Sequence, residues 1–308
     1  MINSVRNTVL SILNKNNYGY ISPSDFNLFA LQAQLELFDD YFSSYNDVLN
    51  KENARMSGSE YGDAMKFVTE TIDSFSVSRF LTHDALNRYF SPSPTTTGSY
   101  AYLLNKVLCY HELVSSGTNT SVVLNSLVDN TKNFNLTVSI GDIVVNETTG
   151  LTAEVTSVGT TTLLLSANIF PSTATQYKIY LGEPSEAKNV QHSNITMLLQ
   201  SNLTAPTLKY PSYTIEENKI NIYPKTIQGK GRLFAQYIRY PYPPKWTYIT
   251  LSNGSPVFDQ SQPDYQDFEL PTEDEYKLVS KILQYCGISI REIEVAQFAI
   301  AQEQQNKQ

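Results

Sequence analysis

His111-Glu112 is the first pair in the chain whose residue types could do chemistry. It opens like the HExxH helix of a zinc protease, where two imidazoles one turn apart hold the metal and the glutamate acts as base. Ser115 stands where the second histidine belongs, and the only histidines are His83, His111 and His192. Zinc chemistry is therefore not expected. Carboxylates gather at Asp264, Asp267 and Glu269, and again at Glu273, Asp274 and Glu275. A glycoside hydrolase works through two carboxylates at a set separation. A solvated loop and a helix N-terminus, which favours acids, account for both clusters without catalysis. No GxSxG elbow, GxGxxG turn or Walker loop is present. This reading contains no catalytic residue, no metal ligand and no cofactor.

The surrounding elements follow from composition and period. The 308 residues are 41% hydrophobic and 17% charged, with a net charge of -8. A core can be filled, and direct recognition of nucleic acid, which asks for a basic surface, is disfavoured. Cys109 and Cys286 are too few for a disulfide framework or a zinc site and read as buried small hydrophobes. The opening MINSVRNTVLSILNKNN lacks a basic n-region and a cleavage pattern, so folding in a cytoplasm is expected. No apolar run reaches the roughly 20 residues of a membrane span.

Ile2, Val5, Val9 and Ile12 recur at helical spacing. Ser22-Pro23-Ser24-Asp25 is a capping box with proline at the first helical position. The helix behind it, to about Leu49, carries one stripe at Leu28, Leu31, Leu35, Phe38, Phe42 and Tyr45 and a second at Phe26, Phe29, Ala33 and Leu37. So wide an apolar face implies more than one neighbour, from this chain or from other subunits. Phe26, Phe29, Leu35, Phe38 and Phe42 are the helix-packing candidates. A third helix is expected after Ser57, with Glu60 in its capping box, and a short fourth near Thr82. The segment SPSPTTTGS, 91–99, then breaks the helical region.

From 118 to 181 the chain turns rich in Val, Thr, Ile and Leu, with turn residues at Asn146–Gly150 and around Gly159. This suits an inserted small β-barrel. Glu186–Gln200 reads as helix. YTI and INIYP around EENK form a hairpin, followed by the strand GRLFAQYIRY. A final helix starts at Thr272 with Glu275 in its box, stops at Gly287, and is followed by another from Ser289. That pair imitates a helix-turn-helix, but REIEVAQF carries more acid than base, so a packed helical hairpin is expected instead. The fold class is thus α+β: a helical domain at 1–117, a barrel at 118–181, and a third part, 182–308, that packs with the first.

Between the last strand and the last helices lies PPKWTYITLSNGSPVFDQSQPDYQDFELP. It is long, aromatic and without period, which is unusual inside a compact domain. It could cover its own surface or reach a neighbouring subunit, since interfaces are enriched in aromatics. The inter-subunit reading is preferred, with Pro243, Pro244, Trp246, Tyr248, Phe258, Tyr265 and Phe268 as contact candidates.

Three stretches carry a family resemblance. NNYGYISPSDFNLFALQAQLELFDDYF, KINIYPKTIQGKGRLFAQYIRYPYPPKW and PVFDQSQPDYQDFELPTEDEYKLVSKILQYCGISIREIEVAQF resemble virion structural proteins of crAss-like phages, short-tailed viruses of gut bacteria. The resemblance covers the N-terminal helices and most of the C-terminal third. It implies a ring protein of the connector between portal and tail, assembled in the host cytoplasm and resident in the virion. It further implies a homo-oligomeric ring of about twelve copies, whose closure would follow from head-to-tail contacts. Portal, adjacent rings and tail proteins would be its partners. Packaged DNA would pass through the lumen without sequence recognition, and no membrane is involved. An acidic chain suits such a conduit, because a negative wall repels phosphate. The resemblance implies no catalytic residue. The alternative is a tail-associated module whose barrel grips host glycan through Phe134, Phe170, Tyr177 and Tyr180. A wall-degrading hydrolase using Asp264, Asp267 or Glu269 ranks last.

Overall fold

The computed structural model describes residues 1–14, 21–54, 62–252 and 254–290. It is a mixed α+β protein with five α-helices among the described residues. In chain order, α1 (Ile2–Asn14), α2 (Pro23–Ala54) and α3 (Gly62–Asp73) come first. β1 (Ser76–Phe80), β2 (Arg88–Phe90), β3 (Ala101–Cys109), β4 (Leu113–Thr118), β5 (Ser121–Val123), β6 (Ser126–Val128) and β7 (Ile143–Asn146) follow. Next are β8 (Thr152–Val158), β9 (Thr162–Leu165), β10 (Gln176–Tyr180), β11 (Ser185–Asn189), α4 (His192–Gln200), β12 (Ser212–Glu216), β13 (Lys219–Tyr223) and β14 (Leu233–Arg239). The hairpin β15 (Tyr248–Thr250) and β16 (Pro256–Phe258) precedes α5 (Glu275–Ile290).

The chain divides into two compact units, one of residues 1–75 and 240–308, the other of 76–239. The expected helical domain therefore ends at 75, not 117. β1 to β4 occupy the region read as helical, and the stretch from Thr82 is a return into β2, not a fourth helix. The reason is long-range pairing. β3 lies between β14 and β11, with Val107 opposite both Ala235 and Ala187.

In the helical unit, Ile2, Val5 and Val9 are buried as their spacing requires. Ser22 caps α2: the Asp25 N–H donates to Ser22 Oγ at 3.1 Å, and that hydroxyl, not the Ser22 N–H of a full capping box, donates to the Asp25 carboxylate at 2.7 Å. The buried face of α2 is Phe26, Ala30, Ala33, Gln34, Leu37, Phe38 and Tyr41. Phe38 packs edge-on against Phe42 and Phe75, and Phe29 stacks on Tyr285. The other stripe is less covered, with Leu28 exposed and Leu31, Leu35, Phe42 and Tyr45 half-buried. The expected cap of the third helix, Ser57 to Glu60, lies outside the described residues.

α5 differs from expectation at both ends. It is entered through a 3-10 turn, Thr272–Asp274, whose cap position is Pro271. It also runs through Gly287 to Ile290, so no helical hairpin turns at that glycine. A helical glycine costs only about 1 kcal/mol, and the packing of Leu278, Ile282, Leu283 and Cys286 carries the helix past it. The expected helix from Ser289 lies almost wholly outside the described residues. Lys281 Nζ reaches Glu36 at 2.7 Å and Asp40 at 3.5 Å, tying α5 to α2.

The β unit holds two seven-stranded sheets, in the orders β1-β14-β3-β11-β12-β13-β2 and β4-β10-β7-β8-β9-β6-β5. The 212–223 hairpin forms in register, Tyr213 opposite Ile222. β14 is not its third strand, because β2 takes that edge and β14 pairs with β1 and β3. The segment read as helix from Glu186 begins instead as β11, and helix starts only at His192. In the second sheet both edges belong to one stretch of chain, Leu113–Val123, so the sheet curves back on itself. Phe134, Phe170 and Tyr177 fill its interior with Leu127, Val144, Val155 and Leu163. Tyr110, Ile143, Val145 and Tyr180 pack with Phe80 and Phe234 where the two sheets meet.

Candidate functional site

The aromatic segment after β14 is not structureless. Its two legs are joined to each other and fastened to α1 and α2, and between them a hairpin projects.

The fastening begins at Trp246, which is 2% exposed. Its backbone N–H donates to Asn27 Oδ1 at 2.8 Å, and the Asn27 amide donates back to the Trp246 carbonyl at 3.2 Å. Its indole N–H donates to Asn3 Oδ1 at 3.1 Å. The Arg6 guanidinium lies 3.8 Å from the ring centre, a cation–π contact shielded from water. Gln34, fully buried on α2, clamps both legs: its amide donates to the Tyr242 carbonyl at 2.8 Å, and its side-chain oxygen accepts the Glu269 N–H at 3.1 Å. The legs are paired directly through Lys245 and Gln266.

Of the six carboxylates that could suggest chemistry, Asp264, Asp267 and Glu269 belong to this fastening, and Asp274 ties the turn before α5 to α2. Asp267 accepts the backbone N–H of Ile2 at 2.7 Å and so caps α1 from a distant part of the chain. Partial burial raises its pKa, but the Met1 ammonium and the N–H groups of Ile2 and Phe268 outweigh that and hold the carboxyl below the usual range. Asp264 is paired with Lys245, whose hydrogen bond lowers its pKa. Glu269 accepts the Tyr242 N–H at 2.7 Å. Asp274 is buried, accepts from the Tyr41 hydroxyl and pairs with Lys277 at 2.7 Å.

From this root an aromatic ladder leads outward. Trp246 stacks on Tyr248 at 5.6 Å and on Phe258 at 6.0 Å, and Phe258 meets Tyr265 edge-on at 5.9 Å. β15 and β16 pair with Tyr248 opposite Phe258 and Ile249 opposite Val257. Tyr248, Ile249, Leu251 and Val257 are each 41–47% exposed, so the hairpin presents apolar side chains to solvent.

Of the contact candidates, Trp246, Tyr248, Phe258 and Tyr265 thus come together in one ladder. Phe268 and Pro244 are buried at the root, and Pro243 is exposed. Among the helix-packing candidates, Phe26 and Phe38 are buried and Phe29, Leu35 and Phe42 half-buried. The receiving residues Asn3, Arg6, Asn27 and Gln34 were not anticipated. Their only sequence signal is weak: Asn27 and Gln34 are amides seven residues apart, beside the apolar stripe of α2.

Elsewhere, Phe134, Phe170, Tyr177 and Tyr180 are all buried, so none offers a surface for sugar stacking. Cys109 and Cys286 are buried and free, and burial pushes their thiols up to about 11 and about 12. Among the described residues no helix is long and apolar enough to cross a membrane. No three His, Cys, Asp or Glu side chains of that set are grouped as metal ligands. No protein-family model matches the chain, and no curated protein is significantly similar to it.

Proposed function

We propose that the chain is a ring subunit of a phage portal–tail connector, and that the β15–β16 hairpin is the element by which one copy grips the next. The observation that carries this reading is the construction of the hairpin. Its root is held by partly buried hydrogen bonds and the buried Trp246, while its tip exposes Tyr248, Ile249, Leu251 and Val257. A presented apolar tip on a rigid base is what a preorganised interface needs, since little ordering remains at binding. The half-covered stripe of α2, from Leu28 to Tyr45, supports lateral contact between copies.

In this reading about twelve copies close a ring by head-to-tail contacts. The ring docks on the portal or a preceding ring and offers a face to the next tail protein. The acidic chain lets DNA pass without sticking. The sheet of 113–180 is a small barrel decorating the ring, its edges being one continuous stretch of chain. The helical unit is the ring body. The chain acts by assembly, without catalysis or cofactor, and resides in the virion neck. The burial of all four barrel aromatics leaves the glycan-gripping alternative without a surface on which to rest.

The test is assembly of a hairpin variant. Removing all of 245–268 would take out Trp246 and Phe268 and unfold the root, so the change must be confined to the tip. Ile249→Lys with Val257→Asp puts opposite charges across the two strands and is expected to leave the fold intact by circular dichroism, as exposed substitutions usually shift stability by about 0.5 kcal/mol or less. The wild-type chain is expected to form a ring by mass photometry, alone or on purified portal complexes, and the double variant to stay monomeric. Normal assembly of the double variant would remove the hairpin from the interface. A wild-type chain that neither self-assembles nor binds portal would overturn the connector reading.

A further inference from the structure

α1 and α5 pack against each other in the helical unit, and beside their contact lies a groove of about 520 Å³. Its apolar lining is Ile12 of α1 with Tyr276, Val279 and Leu283 of α5. On α5 the lining residues Tyr276, Val279, Ser280 and Leu283 are spaced i, i+3, i+4 and i+7, so one continuous helical stripe makes one wall. Thr8 and Ile12, one turn apart on α1, make the other. A groove between two helical faces has the shape that receives a third helix, whose apolar residues recur at the same spacing. Its volume falls within the roughly 300–1,000 Å³ of binding sites. None of its lining residues takes part in fastening the aromatic segment.

Charge says what fits there. Glu273 and Glu275 line the end of the groove where α5 begins, and no Lys, Arg or His lines it. Asp264, Asp267 and Asp274 are already paired with Lys245, the Met1 ammonium and Lys277. Among the described residues the carboxylates of Glu273 and Glu275 have no hydrogen-bond or ion-pair partner. A helix N-terminus favours such acids, but it does not cover the apolar lining beside them. A complementary occupant carries an apolar stripe and a cation at one end. Nucleic acid and anionic lipid headgroups carry the wrong charge for these carboxylates. A second copy of this chain is a poor source. Among the described side chains the helical cations Arg6, Lys66, Lys277 and Lys281 already lie against Trp246, Glu70, Asp274 and Glu36.

The geometry points to the α1–α5 groove as the seat of an amphipathic helix from another protein, with Lys or Arg at the end that meets Glu273 and Glu275. This stands apart from the ring reading, since it needs no contact between copies. The experiment uses the full-length, methyl-labelled chain. The probe is a fluorescent peptide with leucine and lysine in helical period, and its twin carries glutamate in place of lysine. The lysine peptide is expected to bind by fluorescence anisotropy, less tightly as salt is added, and to shift the methyl signals of Ile12, Val279 and Leu283. Glu273→Gln with Glu275→Gln is expected to weaken it about tenfold or more. Glu183→Gln with Glu217→Gln removes the same charge from exposed positions elsewhere and is expected to leave binding unchanged. Equal weakening by the two double variants would reduce the effect to net charge and overturn the site. Equal binding of the glutamate twin, methyl shifts confined to other residues, or no binding of the lysine peptide would each overturn it as well. The methyl map is read on the wild-type chain, so it decides the site even where a variant is destabilised.

Discussion

The guanidinium of Arg6 lies 3.8 Å from the ring centre of Trp246, joining the first helix to a residue 240 positions later in the chain. Around that contact the indole and backbone of Trp246 are held by Asn3 and Asn27. The aromatic segment is therefore part of the core at its root and part of the surface at its tip. The same residue types, read along the sequence, do not reveal which is which.

Trp246→Ala should destabilise the helical unit by about 3–5 kcal/mol, the usual range for removing a fully buried large aromatic. Arg6→Ala should cost less, about 0.5–2 kcal/mol, combining a shielded cation–π contact with the packing of its stem. Urea unfolding followed by circular dichroism measures both. Equal losses would mean that Arg6 does more than cover the ring.

Asp267 predicts a pH dependence. Its folded pKa lies below the unfolded value of 3.8. A depressed carboxyl contributes stability that is fully present above the unfolded pKa and is lost as pH falls through the folded pKa. Asp267→Asn keeps an oxygen that can accept the Ile2 N–H but loses the ion pair with the Met1 ammonium, so it should be less stable than wild type at pH 7 by up to about 1 kcal/mol. The gap should narrow below about pH 4, where the wild-type carboxyl protonates. Thermal melts of both proteins from pH 2.5 to 7 measure it, and a gap independent of pH would remove the charge from the argument.

How much of this was legible depends on the range of the interaction. α1 and α2 follow from period and from a local cap, Ser22 with Asp25, and both formed. The 212–223 hairpin is likewise local. β3 is not legible locally because Val107 finds its partners at Ala187 and Ala235, far outside any window. SEAKN in β11 contains good helix formers and so looks helical locally, and pairing with β3 overrides that weak preference. The aromatics of the hairpin ladder were visible as candidates, but their anchors were not. An asparagine such as Asn27 looks like any other surface amide until the segment it binds is placed on it.

Gly231 makes a prediction about the meeting of the two sheets. Its φ is +66°, a conformation other residues adopt with difficulty. A Cβ built there would lie 2.5 Å from Val145 Cγ2 and 2.9 Å from Thr152 Cγ2. Gly231→Ala combines left-handed strain with overpacking and should destabilise by about 2–4 kcal/mol. Gly229→Ala is the control, with φ +105° but open space around the new methyl, and should suffer only the backbone part. A Gly231→Ala loss of only about 1 kcal/mol, the backbone cost of the left-handed conformation alone, would mean that the contact with β7 and β8 contributes nothing.

The buried pair Tyr177 and Asp129 tests the interior of the second sheet. The Tyr177 hydroxyl donates to Asp129 Oδ2 at 2.7 Å. Burial acts to raise the Asp129 pKa, but hydrogen bonds from Thr131 and Tyr177 overcome it and lower the pKa from 3.8. Tyr177→Phe keeps the ring among Phe134 and Phe170 and removes only the donor. The loss should be about 1–3 kcal/mol at pH 7, because a carboxylate oxygen is left without its partner. Losing a donor should also raise the Asp129 pKa. Carboxyl titration by NMR should show its midpoint moving upward in the variant, while a purely steric role for the ring would leave that midpoint where it was.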